Sequence, residues 1–275
     1  MANAIHGNQV SILGSLGLCI ALSAAMADAS AAHEAGSAAT GTVRNIVLVH
    51  GAATDGSAWR GVYDILTKDG YRVSVVQQPL TGLADDVAAT QRVLDQQDGP
   101  AVLVGHSYGG TVITVAGADP KVRALVYVAA LQPEVGETAG QLSASIPGDF
   151  PNTDIKPTKD GFLFVDSTKY VADVAADLPP ALAKFMADSQ MPVAAAAFSA
   201  PVTVAAWHDK PSFGIVATAD RALNPKLAHW MYKRSGAEVT EIRGSHLIYI
   251  SQPAAVAHVI EKAAGSISEN TTKPR

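Results

Sequence analysis

The sequence has little cysteine and little charge. Its 275 residues include a single cysteine, Cys19, and only 16% of them are Asp, Glu, Lys or Arg. One cysteine allows no disulfide within the chain. Leu18 stands where a lipoprotein signal has a small residue, so we expect no lipid attachment at Cys19. The net charge of −5 provides no basic surface of the kind that binds nucleic acid, so we expect no nucleic-acid partner.

Long apolar runs are lacking beyond the N-terminus. Residues 10–25 are apolar, and small residues follow them in AMADASAAHEAG, which is typical of a secretory signal peptide. We predict a signal peptide over residues 1–29 and a periplasmic or secreted protein, although the first ten residues atypically contain no Lys or Arg. A buried or membrane-anchoring helix is the alternative. No later stretch is apolar for long enough to span a bilayer, so we expect no stable membrane anchor after cleavage.

Strand-like and helix-like patterns alternate after a predicted flexible linker at 30–43. Short apolar, β-branched runs typical of buried parallel strands occur at 44–50, 71–76, 101–105, 123–130, 212–219 and 237–243. Helical patterns lie between or after them at 57–70, 83–99, 111–118, 224–236 and 252–265. This alternation predicts an α/β fold over residues 44–265, with a mostly parallel central sheet flanked by helices.

The alternation is interrupted at about 131–206. This stretch is rich in Pro, Ala and Asp but also contains Phe, Leu, Met and Val. We therefore predict a folded helical cap, inserted after the fourth recognised strand, rather than a disordered insert. The polar residues 266–275 are expected to form a frayed tail.

A candidate nucleophile follows the third predicted strand. Residues 105–109 (GHSYG) fit the G-x-S-x-G pattern, in which a sharp strand-to-helix turn exposes the serine and leaves room only for small residues around it. A plain glycine turn is the alternative, and the spacing matches neither G-x-G-x-x-G nor a P-loop with its lysine. With a strand before it and a helix after it, Ser107 is predicted to be a nucleophile.

The serine needs a base, and the base needs an acid. In hydrolases with this turn the chain order is Ser, acid, His, which excludes His6, His33 and His50. His106 should point away from the hydroxyl, His208 precedes a strand, and His229 and His258 lie on amphipathic helices. His246, after the strand at 237–243, is therefore the predicted base.

The acid is less strongly specified by the sequence. Asp220 follows the strand at 212–219, so it should open on the same sheet edge as Ser107 and His246. Glu134, after the fourth strand, is a rival that the geometry permits, and Asp209 is a weaker one because it precedes its strand.

An oxyanion hole is expected from the backbone N–H groups of Tyr108 and of Ala52, in the loop after the first strand, with Ala53 as the neighbour. Trp207, Phe198, Phe185 and Met186 are candidates to line the substrate pocket, with core packing as the default interpretation for each. We expect no metal ion and no cofactor.

The segments HGAATDGSAW, QQPLTGLADDV, VLVGHSYGG, ALVYVAALQPEVGE, IVATADRALNP and IRGSHLIYISQP resemble, in order, those of the α/β-hydrolase superfamily. They are similar to small bacterial serine esterases and to the plant methylesterase and hydroxynitrile lyase group. The resemblance implies the triad Ser107, Asp220 and His246 and a helical cap. Leu247 stands where the lyases have a lysine, which disfavours lyase activity, and a dehalogenase would need Asp at position 107.

These features predict a serine hydrolase that cleaves a carboxylic ester of small or medium size through an acyl-enzyme on Ser107. The alternatives are a C–C or amide hydrolase or a lyase with the same residues, or a non-catalytic small-molecule binding protein. The oligomeric state is left open by the sequence.

Overall fold

The structure is a computed structural model that describes residues 43–149 and 154–270, with no side-chain information for 268–270. The predicted signal peptide and all but the last residue of the predicted linker lie outside the described residues. Among the described residues, no helix combines the length and the apolarity needed to cross a bilayer.

The central sheet has six strands, which are all paired in parallel. They are β1 (Asn45–Val49), β2 (Arg72–Val76), β3 (Ala101–His106), β4 (Val122–Val128), β8 (Ser212–Ala217) and β9 (Glu238–Ile242). Their order across the sheet is β2-β1-β3-β4-β8-β9. The chain moves outward to β2 and then returns past β1 to β3, so the direction of winding reverses between β1 and β3. Ligands of open α/β sheets bind beyond the carboxyl ends of the strands at such a reversal.

Helices cover both faces of the sheet, as predicted. The helices of the main domain are α1 (Arg60–Lys68), α2 (Leu83–Asp95), α3 (Gly109–Ala116), α8 (Pro225–Ser235), α9 (Ile248–Ser251) and α10 (Pro253–Asn270). Alternate residues of β1 enter opposite cores, because successive side chains of a strand point to opposite faces. Ile46 and Leu48 pack in the cluster that includes α1 and α10. Val47 and Val49 pack in the cluster that includes α2, α3 and α8.

The last helix is longer than the sequence predicted. It continues to Asn270, past the point at residue 265 where we expected a tail. Ile267 packs against the core of the domain, and this apolar contact explains why the polar residues around it remain helical. Residues 271–275 lie outside the described residues.

The interruption between β4 and β8 folds over the sheet as a cap, but the cap is not wholly helical. Its helices are α4 (Ala139–Ser145), α5 (Ser167–Asp173), α6 (Pro180–Asp188) and α7 (Ala195–Ser199). Between them lies an antiparallel sheet of β5 (Ile155–Pro157), β6 (Phe162–Val165) and β7 (Val193–Ala194). The signal for β6 was an Asp-Gly pair before the apolar run FLFV, a known hairpin pattern.

Candidate active site

The structure brings the three residues of the predicted triad into one hydrogen-bonded chain. Ser107 follows β3, Asp220 lies in the loop after β8, and His246 lies in the loop after β9. His246 Nε2 is 2.8 Å from Ser107 Oγ, and His246 Nδ1 is 2.7 Å from Asp220 Oδ2. Asp220 and His246 are buried, with 6% and 7% of their surfaces exposed. The arrangement can therefore pass a proton from the hydroxyl to the imidazole.

The hydrogen bonds of Asp220 determine which nitrogen of the His246 imidazole carries the proton. Asp220 Oδ1 accepts the backbone N–H groups of Ala222 and Leu223 at 2.8 and 2.9 Å. Asp220 Oδ2 is left to accept the Nδ1–H of His246. The Nε2 lone pair of His246 then faces Ser107, which is the tautomer that a general base requires.

Ser107 is held in a strained backbone conformation. Its φ is +53°, in the left-handed region that costs a non-glycine residue free energy. Its carbonyl accepts the N–H groups of Gly110 at 2.9 Å and Leu131 at 3.1 Å. A Cβ on Gly105 would lie 2.6 Å from the carbonyl oxygen of Gly109. The turn therefore excludes larger residues at these positions, as the sequence pattern predicted.

The loop after β1 is oriented by hydrogen bonds to one carbonyl. Gly51 O accepts from His50 Nδ1 at 2.9 Å and from Thr54 Oγ1 at 3.2 Å. A trans peptide group is planar, with its C=O and N–H pointing in opposite directions, so the Ala52 N–H points away from His50 and Thr54. A Cβ on Gly51 would lie 2.8 Å from Ser107 Cβ, and this close approach puts the loop beside the serine.

The Tyr108 N–H is oriented in the same way, because it shares a peptide plane with the bound carbonyl of Ser107. Among the hydrogen bonds within residues 43–149 and 154–270, none is donated by the Ala52 or the Tyr108 N–H. Both of the predicted oxyanion donors therefore border Ser107 with their N–H groups not engaged by the described part of the protein.

The neutral, buried side chain of His50 orients the loop after β1. Burial lowers the pKa of His50, because a charged imidazolium loses hydration there. The neutral ring donates from Nδ1 to Gly51 O and accepts at Nε2 from the backbone N–H of Gln78 at 3.3 Å. Gln78 Nε2 in turn donates to His50 O at 2.7 Å. His50 thus supports the loop of Ala52, a role that the sequence did not reveal.

The other histidines and acids do not join the triad. His106 is buried, and its Nε2 donates to the backbone carbonyl of His246 at 3.0 Å. Burial holds its pKa well below the ordinary value, so the ring is neutral. Glu134, the rival acid, bonds to His208 at 3.0 Å, and Asp209 is exposed.

Four non-glycine residues of the described chain have a positive φ, and each follows a parallel strand of the main sheet. They are Ala53, Leu80, Ser107 and Ala129, with φ of +55°, +57°, +53° and +43°. They come after β1, β2, β3 and β4 respectively. Such strain is typical of functional sites, where the surrounding structure holds it in place. The sequence predicted this feature only at Ser107.

The four predicted pocket residues lie in different surroundings. Phe198 of α7 packs against the Tyr108 ring with centroids 5.3 Å apart, so it lies next to the residue of one predicted oxyanion donor. Met186 of α6 is buried in a core cluster that cap and main-domain residues share, and Trp207 donates from Nε1 to Pro133 O at 2.8 Å. Phe185 is 62% exposed on α6. Core packing, the default interpretation, therefore does not hold for Phe185, and the helical spacing of PPALAKFMADS did not reveal which face is buried. Its contribution to a substrate pocket stays a prediction.

The cap also holds the loop that carries His246. Asp177, between α5 and α6, accepts the Ser245 N–H at 2.9 Å and the Ser251 hydroxyl at 2.7 Å, and it also bonds to the Ser245 hydroxyl. Val174 O accepts the Leu247 N–H at 3.3 Å. Burial raises the pKa of the Asp177 carboxyl, but its hydrogen bonds from Ser245 and Ser251 outweigh burial and lower that pKa overall. An ionised Asp177 therefore fixes Ser245, the residue next to the predicted base.

Sequence reasoning missed Asp86 in α2. Its carboxylate accepts the Tyr108 hydroxyl at 2.9 Å. The signal was available, because Leu83, Thr90 and Leu94 form the buried face of the helix and Asp86 shares that face. A carboxylate within an otherwise buried helix stripe needs a partner.

No group of three or more His, Cys, Asp or Glu side chains within the described residues is arranged to hold a metal ion.

Comparison with known proteins places these observations in a family. A model described as the alpha/beta hydrolase family matches residues 46–259. A carbendazim hydrolyzing esterase from Nocardioides sp. (strain SG-4G) is 36% identical over 122 residues, which are 39% of this chain and 49% of that esterase. The match thus spans about half the length of that relative. Norfluorocurarine synthase 2 from Strychnos sp. is 25% identical over 250 residues, 76% of this chain and 91% of that enzyme.

Among solved structures, a pyrethroid hydrolase from Sphingobium faniae JZ-2 has a TM-score of 0.71 at 24% identity. The similarity covers 83% of this chain and 100% of that one. It supports the fold, including the parallel sheet with flanking helices.

Proposed function

Because the chain belongs to the alpha/beta hydrolase family, we propose that it is a serine hydrolase that cleaves a carboxylic ester of small or medium size. The observation that carries the proposal is the continuous hydrogen-bonded chain from Ser107 through His246 to Asp220. Relatives support a coarser statement, hydrolysis: one matched protein is named a carbendazim hydrolyzing esterase, and a structural neighbour is named a pyrethroid hydrolase.

In the proposed reaction, Ser107 Oγ attacks the ester carbonyl carbon while its proton passes to His246 Nε2. Asp220 accepts the Nδ1–H of His246 and stabilises the imidazolium that forms. The carbonyl oxygen becomes an oxyanion, to which the N–H groups of Ala52 and Tyr108 donate. Each such donor contributes about 3 kcal/mol to the transition state.

Collapse of the tetrahedral intermediate breaks the bond to the alkoxy oxygen. His246 returns its proton to that oxygen, and the alcohol leaves. Water then repeats the attack on the acyl-Ser107 ester, with His246 as base, and releases the acid. The residues of the chain suffice for this sequence of steps.

Two features favour hydrolysis over the lyase and the binding-protein alternatives. Leu247, directly after the proposed base, is fully buried and offers no cation to a leaving cyanide, so the lyase alternative has little support. A binding protein needs neither the tautomer that Asp220 imposes on His246 nor the strained φ of Ser107. Both are costs that catalysis explains.

The test uses the purified protein with p-nitrophenyl esters of graded acyl length. We expect turnover of the short and medium esters, and loss of nearly all of it in Ser107→Ala. Ser57→Ala is a matched control, since Ser57 is exposed near the start of α1 and should leave the rate unchanged. No turnover by the wild type, or equal turnover by Ser107→Ala, would refute the proposal.

A further inference from the structure

Asp86 links the proposed oxyanion hole to the cap. Its side chain is fully buried in α2, on the side of the sheet where Tyr108 lies. Tyr108 donates its hydroxyl proton to Asp86 Oδ2 at 2.9 Å, and the Leu80 N–H donates to Asp86 Oδ1 at 2.8 Å. Both oxygens of the carboxylate are thereby engaged, each by a group from a different loop of the site edge.

Leu80 is one of the strained residues. It is fully buried and has a φ of +57°, a conformation that is unfavourable for a large side chain. Its N–H bonds to Asp86, and its carbonyl accepts the Ala194 N–H of β7 at 2.8 Å. The hydrogen bonds of the Leu80 N–H to Asp86 and of the Leu80 carbonyl to Ala194 therefore join the main domain to the cap.

The cap also touches Tyr108 directly. Phe198, shortly after β7, packs on the Tyr108 ring. The side chain of Tyr108 is thus held at its hydroxyl by Asp86, while its ring contacts Phe198 of the cap. Since the side chain and the backbone N–H of Tyr108 belong to one residue, fixing the first restricts the direction of the second.

We propose that Asp86 is a positioning residue for the oxyanion hole. Asp86 holds both Tyr108 and the strained Leu80, and through these two residues the packing of the cap on the main domain aligns the Tyr108 N–H. The inference rests on the proposed function, because the Tyr108 N–H acts as an oxyanion donor only if a substrate carbonyl oxygen gains charge beside Ser107. Asp86 contacts no reacting atom and acts through Tyr108.

The charge of Asp86 fits this role. Burial raises the pKa of Asp86 to about 6, and the hydrogen bonds from Tyr108 and Leu80 oppose that rise. In mildly alkaline buffer the carboxylate is ionised and can accept both protons. In Asp86→Asn the amide can accept one of them but must present N–H groups to the other partner, so the geometry changes without loss of volume.

The test compares two inhibitors that differ only in whether they form an oxyanion. A trifluoromethyl ketone accepts Ser107 Oγ at its carbonyl carbon, with the serine proton passing to His246, and yields a tetrahedral oxyanion. The matched methyl ketone binds without a stable adduct. Transition-state stabilisation appears in the ratio of the two affinities, and a merely structural loss would weaken both.

We expect Asp86→Asn and Tyr108→Phe each to lower kcat about tenfold, less than the roughly 100-fold loss of a whole donor. The affinity for the trifluoromethyl ketone should fall by a similar factor, while KM and the methyl ketone affinity stay unchanged. Asp85→Asn is the matched control, because Asp85 is the exposed neighbour of Asp86 and accepts the Thr81 hydroxyl instead of that of Tyr108. Its affinity ratio should equal that of the wild type.

An unchanged ratio in both variants, or an equal loss for both ketones, would overturn the inference. Should Asp86→Asn fail to fold, Tyr108→Phe decides alone, since it keeps the ring contact with Phe198 and removes only the hydroxyl. A wild type that neither turns over esters nor forms the adduct would instead overturn the proposed function, which separates the two failures.

Discussion

Replacing Asp220 by Asn tests the triad most sharply, because the structure dictates how the amide must sit. The Ala222 and Leu223 N–H groups both point at Oδ1, so the amide oxygen must occupy that position. The amide nitrogen then takes the place of Oδ2, 2.7 Å from His246 Nδ1, and donates a proton where the carboxylate accepted one.

Nδ1 of His246 must become an acceptor in this variant, so the ring proton moves to Nε2. The protonated Nε2 faces Ser107 and cannot take its proton. We expect kcat to fall about 10⁴-fold, as a wrong-tautomer triad does, which corresponds to about 5.5 kcal/mol in the activation free energy. The change in shape is minimal, so KM and thermal unfolding should stay close to the wild type.

The assay is release of p-nitrophenolate from a short-chain ester, followed over a range of substrate concentrations. Glu134→Gln is the control, because Glu134 is the rival acid and pairs with His208 at the surface; we expect its kcat to be unchanged. A loss of less than tenfold in Asp220→Asn, or a larger loss in Glu134→Gln, would refute the assignment of Asp220.

Two further predictions concern stability and export. Folded Asp86 keeps its proton up to about pH 6, whereas the unfolded carboxyl releases it near its ordinary pKa of 3.8, so this group makes the free energy of unfolding fall as the pH rises through that window. Denaturant titrations of the wild type should show that the free energy of unfolding falls by up to about 3 kcal/mol as the pH rises from 3.8 to about 6, and Asp86→Asn should lack this fall. Equal pH slopes in the wild type and in Asp86→Asn would contradict the prediction. The predicted signal peptide implies a mature N-terminus between Ala27 and Ser30 after expression in a bacterium, and mass spectrometry that finds Met1 or Ala2 there would contradict export.

The sequence was a good guide wherever local pattern and chain order carry the information. The β-branched runs predicted the six strands of the main sheet, because buried parallel strands must be apolar on both faces. The sequence could predict that Ser107, Asp220 and His246 come together because each follows a strand, and the carboxyl ends of parallel strands share one edge; the structure joins the three by hydrogen bonds.

The sequence could not predict contacts between distant segments of the chain. Tyr170 of the cap donates to Ala53 O at 3.2 Å, and Asp86 meets Tyr108, although no local pattern connects these positions. The exposure of Phe185 depends on how α6 packs against α5, which periodicity leaves undetermined. The strain at Leu80 could not be read either, since bulky residues are rare at positive φ.

The contacts of Val174 and Asp177 with the loop of His246 have a consequence for how such a protein diversifies. If the cap only covered the pocket, its sequence could be replaced by that of another cap without affecting the loop of His246. Here the segment between α5 and α6 supports the loop that carries the proposed base, His246, so grafting a foreign cap would leave that loop without its partners. Changes in the cap that keep this loop in place should therefore spare Val174 and Asp177 and fall at exposed positions such as Phe185 of α6.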